Sequence, residues 1–341
     1  MIIRSRAPLR LGLAGGASDL SPFCDRHGGF VLNATIAAYA CCHLEPTDDG
    51  RVSFAAVDRD ERFAHDSVSG FPLQDQLLLH KATYNRIVSQ FNGGQPLSLR
   101  LTTASDAPVG SGLGASSTLV VAMLKAYAEW LKLPLGDYDL AQLAFQTERV
   151  DAGLLGGRQD QYAATFGGFN FMEFYADNRV IVNPLRIKSR ILHELESSIV
   201  LYFTGVSRAS ADVIRDQAKR VTELDPEAIA ATMELKQDAV LMKEALLKGN
   251  VREMARVLGR SWEAKKRIAS SMTNSAIEHA YTSAINAGAY AGRISGAGGG
   301  GFIIFMADPI RKHEVIRALQ NCGGHVLPFH FVDHGAEAWL A

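Results

Sequence analysis

The chain has 341 residues, 47% of them hydrophobic and 21% charged, which is enough apolar material for one large or two smaller cored domains. Its 35 Lys and Arg nearly balance 36 Asp and Glu, for a net charge of −1. No chain-wide field draws it to nucleic acid or to an anionic membrane, and a small-molecule partner is the expectation.

The opening MIIRSRAPLRLGLAGG lacks the long apolar segment of a signal peptide, and no run of about 18 apolar residues occurs further on. Cys24, Cys41, Cys42 and Cys322 form neither a disulfide framework nor a metal knuckle. The expectation is a cytoplasmic protein with reduced thiols, neither exported nor inserted in a membrane.

In chain order, MIIRSRAPLRLGL, FVLNATIAAYACCHL, VSFAAV and LSLRLTTAS predict strands, with one helix near 75–92. From 115 the apolar step becomes helical, through Leu119, Met123, Ala126, Tyr127 and Trp130. A second helix is predicted over 138–151, N-capped by Asp137 or Asp139, with Glu148 and Asp151 finishing an otherwise apolar stripe. FGGFNFMEF, RVIVNPLRI and SSIVLYFTG predict strands, and helices follow near 209–223, 226–248, 250–268 and 275–288. The end reads as strand GRIS, loop GAGGGG, strand FIIFMAD, helix DPIRKHEVIRALQ and strand HVLPFHF. This alternation predicts an α+β protein with a boundary near 185–200, dividing the chain into 1–190 and 191–341.

Four segments carry candidate chemistry. In PVGSGLGASS, residues Pro108, Gly110, Ser111, Gly112, Leu113, Gly114, Ala115, Ser116 and Ser117 run from a glycine loop into a helix start. Glycines let backbone N–H groups approach an anion, and the helix N-terminus adds partial positive charge. A plain turn remains open at this point, as does a dinucleotide loop, although the acid expected about 20 residues on is Glu129 inside the helix. A Walker A loop does not fit, because no lysine follows Gly114 until Lys125. Hydroxyls at Ser116 and Ser117 suit Mg²⁺.

The segment RAPLRLGLAGGASD places Arg10 in a strand before Gly15, Gly16, Ser18 and Asp19. Glu148, projecting from a buried stripe, needs either a cation such as Arg149 or Arg158 or a metal. In GGRQDQYAATFGG, Asp160 reads as a loop carboxylate that is either a candidate base for a hydroxyl or part of a plain turn. In RISGAGGGGFIIF, the glycines at 296 and 298–301 indicate close approach to a ligand or to another backbone.

With APLRLGLAGGASD early, PVGSGLGASS in the middle and ISGAGGGG late, the chain resembles the GHMP kinase family of small-molecule kinases over essentially its whole length. The resemblance implies an N-terminal domain related to ribosomal protein S5, a ferredoxin-like C-terminal domain, and ATP and acceptor bound between them. It also implies that the 108–117 segment wraps the ATP phosphates, that Ser116 and Glu148 bind Mg²⁺, that Asp160 deprotonates or orients the acceptor hydroxyl, and that Arg10 is the basic residue of the first motif, suited to neutralising phosphate charge. Gly15, Gly16, Ser18, Asp19, Arg158, Gln159, Arg208, Gly296, Gly298 and Gly299 are expected on the acceptor.

Where galactokinases carry Gly-Glu-His-Thr-Asp, this chain has Gly15-Gly16-Ala17-Ser18-Asp19. GGASDLSPF, GGRQDQYAATFGG and YFTGVSRAS look most like a bacterial branch acting on D-glycero-D-manno-heptose 7-phosphate at its anomeric hydroxyl. A phosphorylated acceptor needs a further cation, and Arg158 and Arg208 are the expected anchors unless either is a structural ion-pair partner. A fucokinase-like enzyme acting on an unphosphorylated sugar, a non-catalytic ATP-binding sensor and an NAD-dependent oxidoreductase are the alternatives, and assembly into a homo-oligomer is left open.

Overall fold

The computed structural model describes residues 1–74, 76–108, 110–205, 214–216, 219–220, 222–223, 225–268, 272–296 and 298–341. Strand β1 (Ile3–Ala14) pairs antiparallel with β2 (Gly29–Pro46), with irregularities at Pro8/Leu9 and Gly12/Ala14. At 18 residues, β2 is long enough to serve two further neighbours. Its second half pairs with β5 (Leu99–Ser105) and its first half with β6 (Phe169–Phe174). β3 (Arg51–Ala56) and β4 (Glu61–Asp66) extend the sheet beyond β5, and β7 (Val180–Pro184) extends it beyond β6.

The second sheet consists of β8 (Ile199–Phe203), β9 (Ala289–Ile294), β10 (Phe302–Ala307) and β11 (His325–Leu327), in the order β11-β8-β10-β9. That is the 4-1-3-2 order of a ferredoxin-like sheet. The chain crosses to it through helix Ser189–Ser198 and returns at its end, where β12 (Glu337–Leu340) pairs with β1.

The two sheets share one core. Leu9, Leu11, Leu13 and Leu32 of the first sheet cluster with Leu201, Phe203, Phe302 and Ile304 of the second. Met242 and Leu246 of helix Pro226–Lys248, with Val257 and Leu258 of helix Val251–Ile268, complete it. Each fully buried leucine contributes about 1.5–3 kcal/mol, so the cleft between the domains has a rigid floor. Helices Leu78–Phe91 and Ala115–Leu131 cover the far side of the first sheet through Ile87, Val120, Val121 and Leu124.

Several expectations change. Asp160 lies in helix Gln159–Phe166 rather than in a loop. The helix predicted to 151 is α-helical only over Asp137–Phe145 and continues as a π turn, Gln146–Asp151. Its N-cap is Gly136, and Asp139 contributes by accepting the Gly136 N–H at 3.0 Å. β4 and β12 are strands the periodicity did not predict. Most of the helix expected at 209–223 lies outside the described residues. None of the described helices is long and apolar enough to cross a membrane.

Candidate active site

The cleft is built where the ends of β1, the glycine loop, helix Gln159–Phe166 and the loop after β9 converge. Arg10, Asp19, Gly110, Gly112, Gly114, Ser116, Arg149, Gln159, Asp160, Lys265, Arg293 and Gly296 line it. Gly112, at φ 82°, lies so close to the Ser295 carbonyl that a Cβ there would collide with it. The Ser295 hydroxyl donates to Gly112 O at 2.8 Å, and Phe302 N–H donates to Ser111 O at 2.9 Å. The late glycine run therefore serves backbone packing: Gly296 and Gly301 seat against Gly112 and Ser111, and Gly298 against Met272.

Helix Ala115–Leu131 begins at Gly114 with no side-chain cap, and its first residues, Ala115 and Ser116, face the cleft. A helix start of this kind favours an anion such as phosphate. Ser117 turns inward, is 1% exposed, and donates to Glu148 Oε2 at 2.6 Å. Pro108, Ser111 and Leu113 do not line the cleft.

The π turn carries Glu148 into the interior, where it is 0% exposed. Its Oε1 accepts from Ser116 Oγ at 2.8 Å and pairs with Arg149 Nη1 at 3.2 Å. Its Oε2 accepts from Ser117 Oγ and from Gln161 Nε2 at 2.7 Å. The sequence reading of Glu148 as a carboxylate satisfied by Arg149 holds, and Ser116 Oγ lies beside the same carboxylate.

One carboxylate and one hydroxyl, both hard oxygen donors, are a fitting protein share for Mg²⁺, which takes its other ligands from phosphates and water. No group of three His, Cys, Asp or Glu capable of holding a metal by itself occurs among the described residues.

Arg10 is 3% exposed and reaches Asp160 with Nε and Nη2, each 2.7 Å from Oδ1. Its Nη1 donates to Gly112 O at 2.5 Å, so one guanidinium ties the carboxylate to the glycine loop. Asp19, 1% exposed, accepts from Gln159 N at 3.2 Å and Gln159 Nε2 at 3.1 Å. Burial, reinforced by the charge of Asp160, pushes the Asp19 carboxyl above its ordinary range.

Not every expected acceptor residue faces the cleft. The Ser18 hydroxyl lies 2.7 Å from Gly15 O and accepts the Phe30 N–H at 3.0 Å, closing a turn against β2. Gly15 packs on the Phe30 carbonyl, and Gly299 N–H donates to Met272 O. Arg158 is spent on Tyr175 O at 2.9 Å, Ser21 Oγ at 3.0 Å and Asp25 at 3.1 Å, and it does not line the cleft. It is a structural ion-pair partner rather than the expected phosphate anchor, and Arg208 lies outside the described residues.

Two cleft cations, Lys265 and Arg293, were missed. The signals were present: Lys265 interrupts the stripe Leu258, Ser261, Trp262, Ile268, and Arg293 opens the late glycine motif. Burial and the neighbouring Arg293 and Arg10 charges hold the Lys265 ammonium well below its ordinary range, and burial brings Arg293 down to about 10.

Profiles of the GHMP kinase N-terminal and C-terminal domains match residues 79–168 and 242–325. The chain is 48% identical to the D-glycero-alpha-D-manno-heptose 7-phosphate kinase of Campylobacter jejuni over 337 residues, 99% of this chain and 98% of that one. A crystal structure of a D-glycero-D-manno-heptose 1-phosphate kinase from Bacteroides thetaiotaomicron superposes with a TM-score of 0.85 at 49% identity, covering 99% of both chains. A bifunctional fucokinase/GDP-fucose pyrophosphorylase of Arabidopsis thaliana is 26% identical over 91% of this chain but only 30% of its own length.

Proposed function

The chain belongs to the GHMP kinase family, and from that premise we propose that it transfers the γ-phosphoryl group of ATP to the anomeric C1 hydroxyl of D-glycero-D-manno-heptose 7-phosphate. The product is the 1,7-bisphosphate, a precursor suited to nucleotide activation of the heptose. ATP is the donor, and the reaction belongs in the cytoplasm, where ATP and sugar phosphates are found together.

The observation that carries the mechanism is the Arg10-held Asp160 carboxylate lying against Gly114, at the start of helix Ala115–Leu131. In the proposed step the acceptor oxygen forms a bond to the γ-phosphorus as the bond from that phosphorus to the β,γ-bridging oxygen breaks, releasing ADP. Asp160 orients the C1 hydroxyl and takes its proton, which later leaves to solvent. The N–H groups at Gly114 to Ser116 and the Arg10 guanidinium face the charge that develops on the transferring group. Ser116 and Glu148 would hold Mg²⁺, which when bound neutralises charge on the β- and γ-phosphates. Asp19, held in place by Gln159, is placed to grip sugar hydroxyls.

The full-length 48% identity supports a phosphorylated heptose as acceptor. A second reading, an unphosphorylated sugar, draws on the likeness to the fucokinase. An ADP-release assay comparing heptose 7-phosphate, heptose 1-phosphate, free heptose and fucose separates them.

A further inference from the structure

Helix Val251–Ile268 places Lys265, 1% exposed, on its buried stripe, and β9 places Arg293, also 1% exposed, beside it. Both line the cleft. Lys265 Nζ donates to Gly296 O, and Arg293 Nη1 donates to Leu13 O at 3.4 Å. Arg293 Nε is buried with no hydrogen-bond partner. Among the described residues neither cation makes an ion pair, since Asp160 is engaged by Arg10 and Asp19 by Gln159. Burying two basic groups that no acid meets in an ion pair, with Asp19 acting on Lys265 only through its charge, is costly in the ligand-free protein, and a bound anion would offset that cost.

Their position indicates which anion. A Cβ on Gly16 would sit 3.3 Å from Arg293 Nη2 and 3.5 Å from Gln159 Nε2, so Arg293 faces the acceptor segment. The triphosphate end of the cleft has cationic partners of its own, Arg149 beside Glu148 and the helix start at Ser116. Lys265 also touches the Gly296 loop, which packs on Gly112, so ATP is the competing occupant to be excluded.

We infer that Lys265 and Arg293 bind the phosphate that the acceptor already carries, making this pair the determinant that selects a sugar phosphomonoester over a free sugar. The inference rests on the sugar-phosphate reading above and assigns the role expected of Arg158 and Arg208 to different residues.

Isothermal titration of the full chain with heptose 7-phosphate, free heptose and ATP tests it, using wild type, Lys265→Met, Arg293→Met and Arg293→Lys. Each methionine variant should lose about ten- to hundredfold in affinity for heptose 7-phosphate, the size of a lost charge-assisted contact, while ATP and free heptose bind within about twofold of wild type. Arg293→Lys, which keeps the buried charge, should recover part of the loss and serves if Arg293→Met does not fold. Ligand-free Lys265→Met should melt at a higher temperature than wild type, whereas a merely structural lysine would give a lower one.

A wild type that prefers heptose 7-phosphate, with variants that keep the preference, would overturn the inference alone, as would variants that lose ATP affinity instead. A wild type that binds free heptose as tightly as heptose 7-phosphate would overturn the acceptor reading, and the inference with it.

Discussion

Both Nε and Nη2 of Arg10 converge on a single oxygen of Asp160, Oδ1, at 2.7 Å. The other oxygen, Oδ2, makes no hydrogen bond to protein among the described residues, and the Asp160 side chain is 19% exposed. The arginine thereby fixes the carboxylate through one oxygen and leaves the other unengaged, and in the proposed reaction that second oxygen meets the acceptor hydroxyl.

Asp160→Asn keeps the shape and removes the proton acceptor. Turnover should fall about 10²- to 10⁴-fold with the KM for ATP little changed, the range for loss of a positioned base. Steady-state kinetics across pH check this, and near-normal kcat in the variant would remove Asp160 from the chemistry.

Glu148→Gln should raise the Mg²⁺ concentration needed for half-maximal activity by at least about tenfold, because the remaining oxygen donors are neutral. It also leaves Arg149 without its carboxylate and weakens the bonds from Ser116, Ser117 and Gln161, so unfolding should become easier by about 1–3 kcal/mol. An unchanged Mg²⁺ titration would show that Glu148 is a structural acceptor only.

The residues that are local in sequence were readable there. Arg10, Asp19, Ser116 and Glu148 each sit inside a short segment whose glycines, helix start or stripe position give the side chain a physical reason to be polar. Asp160 was identified while its helix was not, because QDQYAATF is one short element between diglycines and contains Thr, Tyr and Phe, which add little helical preference. The pairing of Arg4 with Trp339 joins residues at opposite ends of the chain, and no local pattern specifies it. Lys265 and Arg293 come together only because helix Val251–Ile268 packs directly on β9, a tertiary contact that sequence spacing does not reveal. Ser18 and Arg158 turn away from the cleft for the converse reason, since their hydrogen-bonding groups meet neighbours that sequence spacing does not reveal.

Lys265 gives the cleft a pH signature. Its folded pKa lies well below 10.5, so between those two values the unfolded chain holds a proton that the folded chain lacks. Stability therefore rises with pH through that window, and the thermal advantage of Lys265→Met should shrink as pH rises. Binding of a phosphate beside Lys265 restores the charged form, so wild type should take up protons with heptose 7-phosphate and the variant fewer. Titrations in buffers of different ionisation enthalpy measure this, and equal uptake in both proteins would contradict it.

His80 is 2% exposed with its Nε2 at 2.9 Å from Thr103 Oγ1, and burial lowers its pKa to about 4 from 6.5. It is neutral in the fold and protonates first in the unfolded chain, so stability present above pH 6.5 is lost as pH falls toward 4. The loss is at most about 3 kcal/mol. Denaturant unfolding of wild type and His80→Gln should give a flatter acid limb for the variant, and parallel limbs would exclude His80 as the source.

The most direct test of the proposed reaction is the ratio of kcat/KM values for heptose 7-phosphate and free heptose, measured by ADP release with ATP and Mg²⁺ saturating and with heptose 1-phosphate and fucose alongside. Heptose 7-phosphate should exceed each of the others by at least about tenfold, with the new phosphate found on C1. A free sugar used equally well or better, or a product phosphorylated elsewhere than C1, would contradict it.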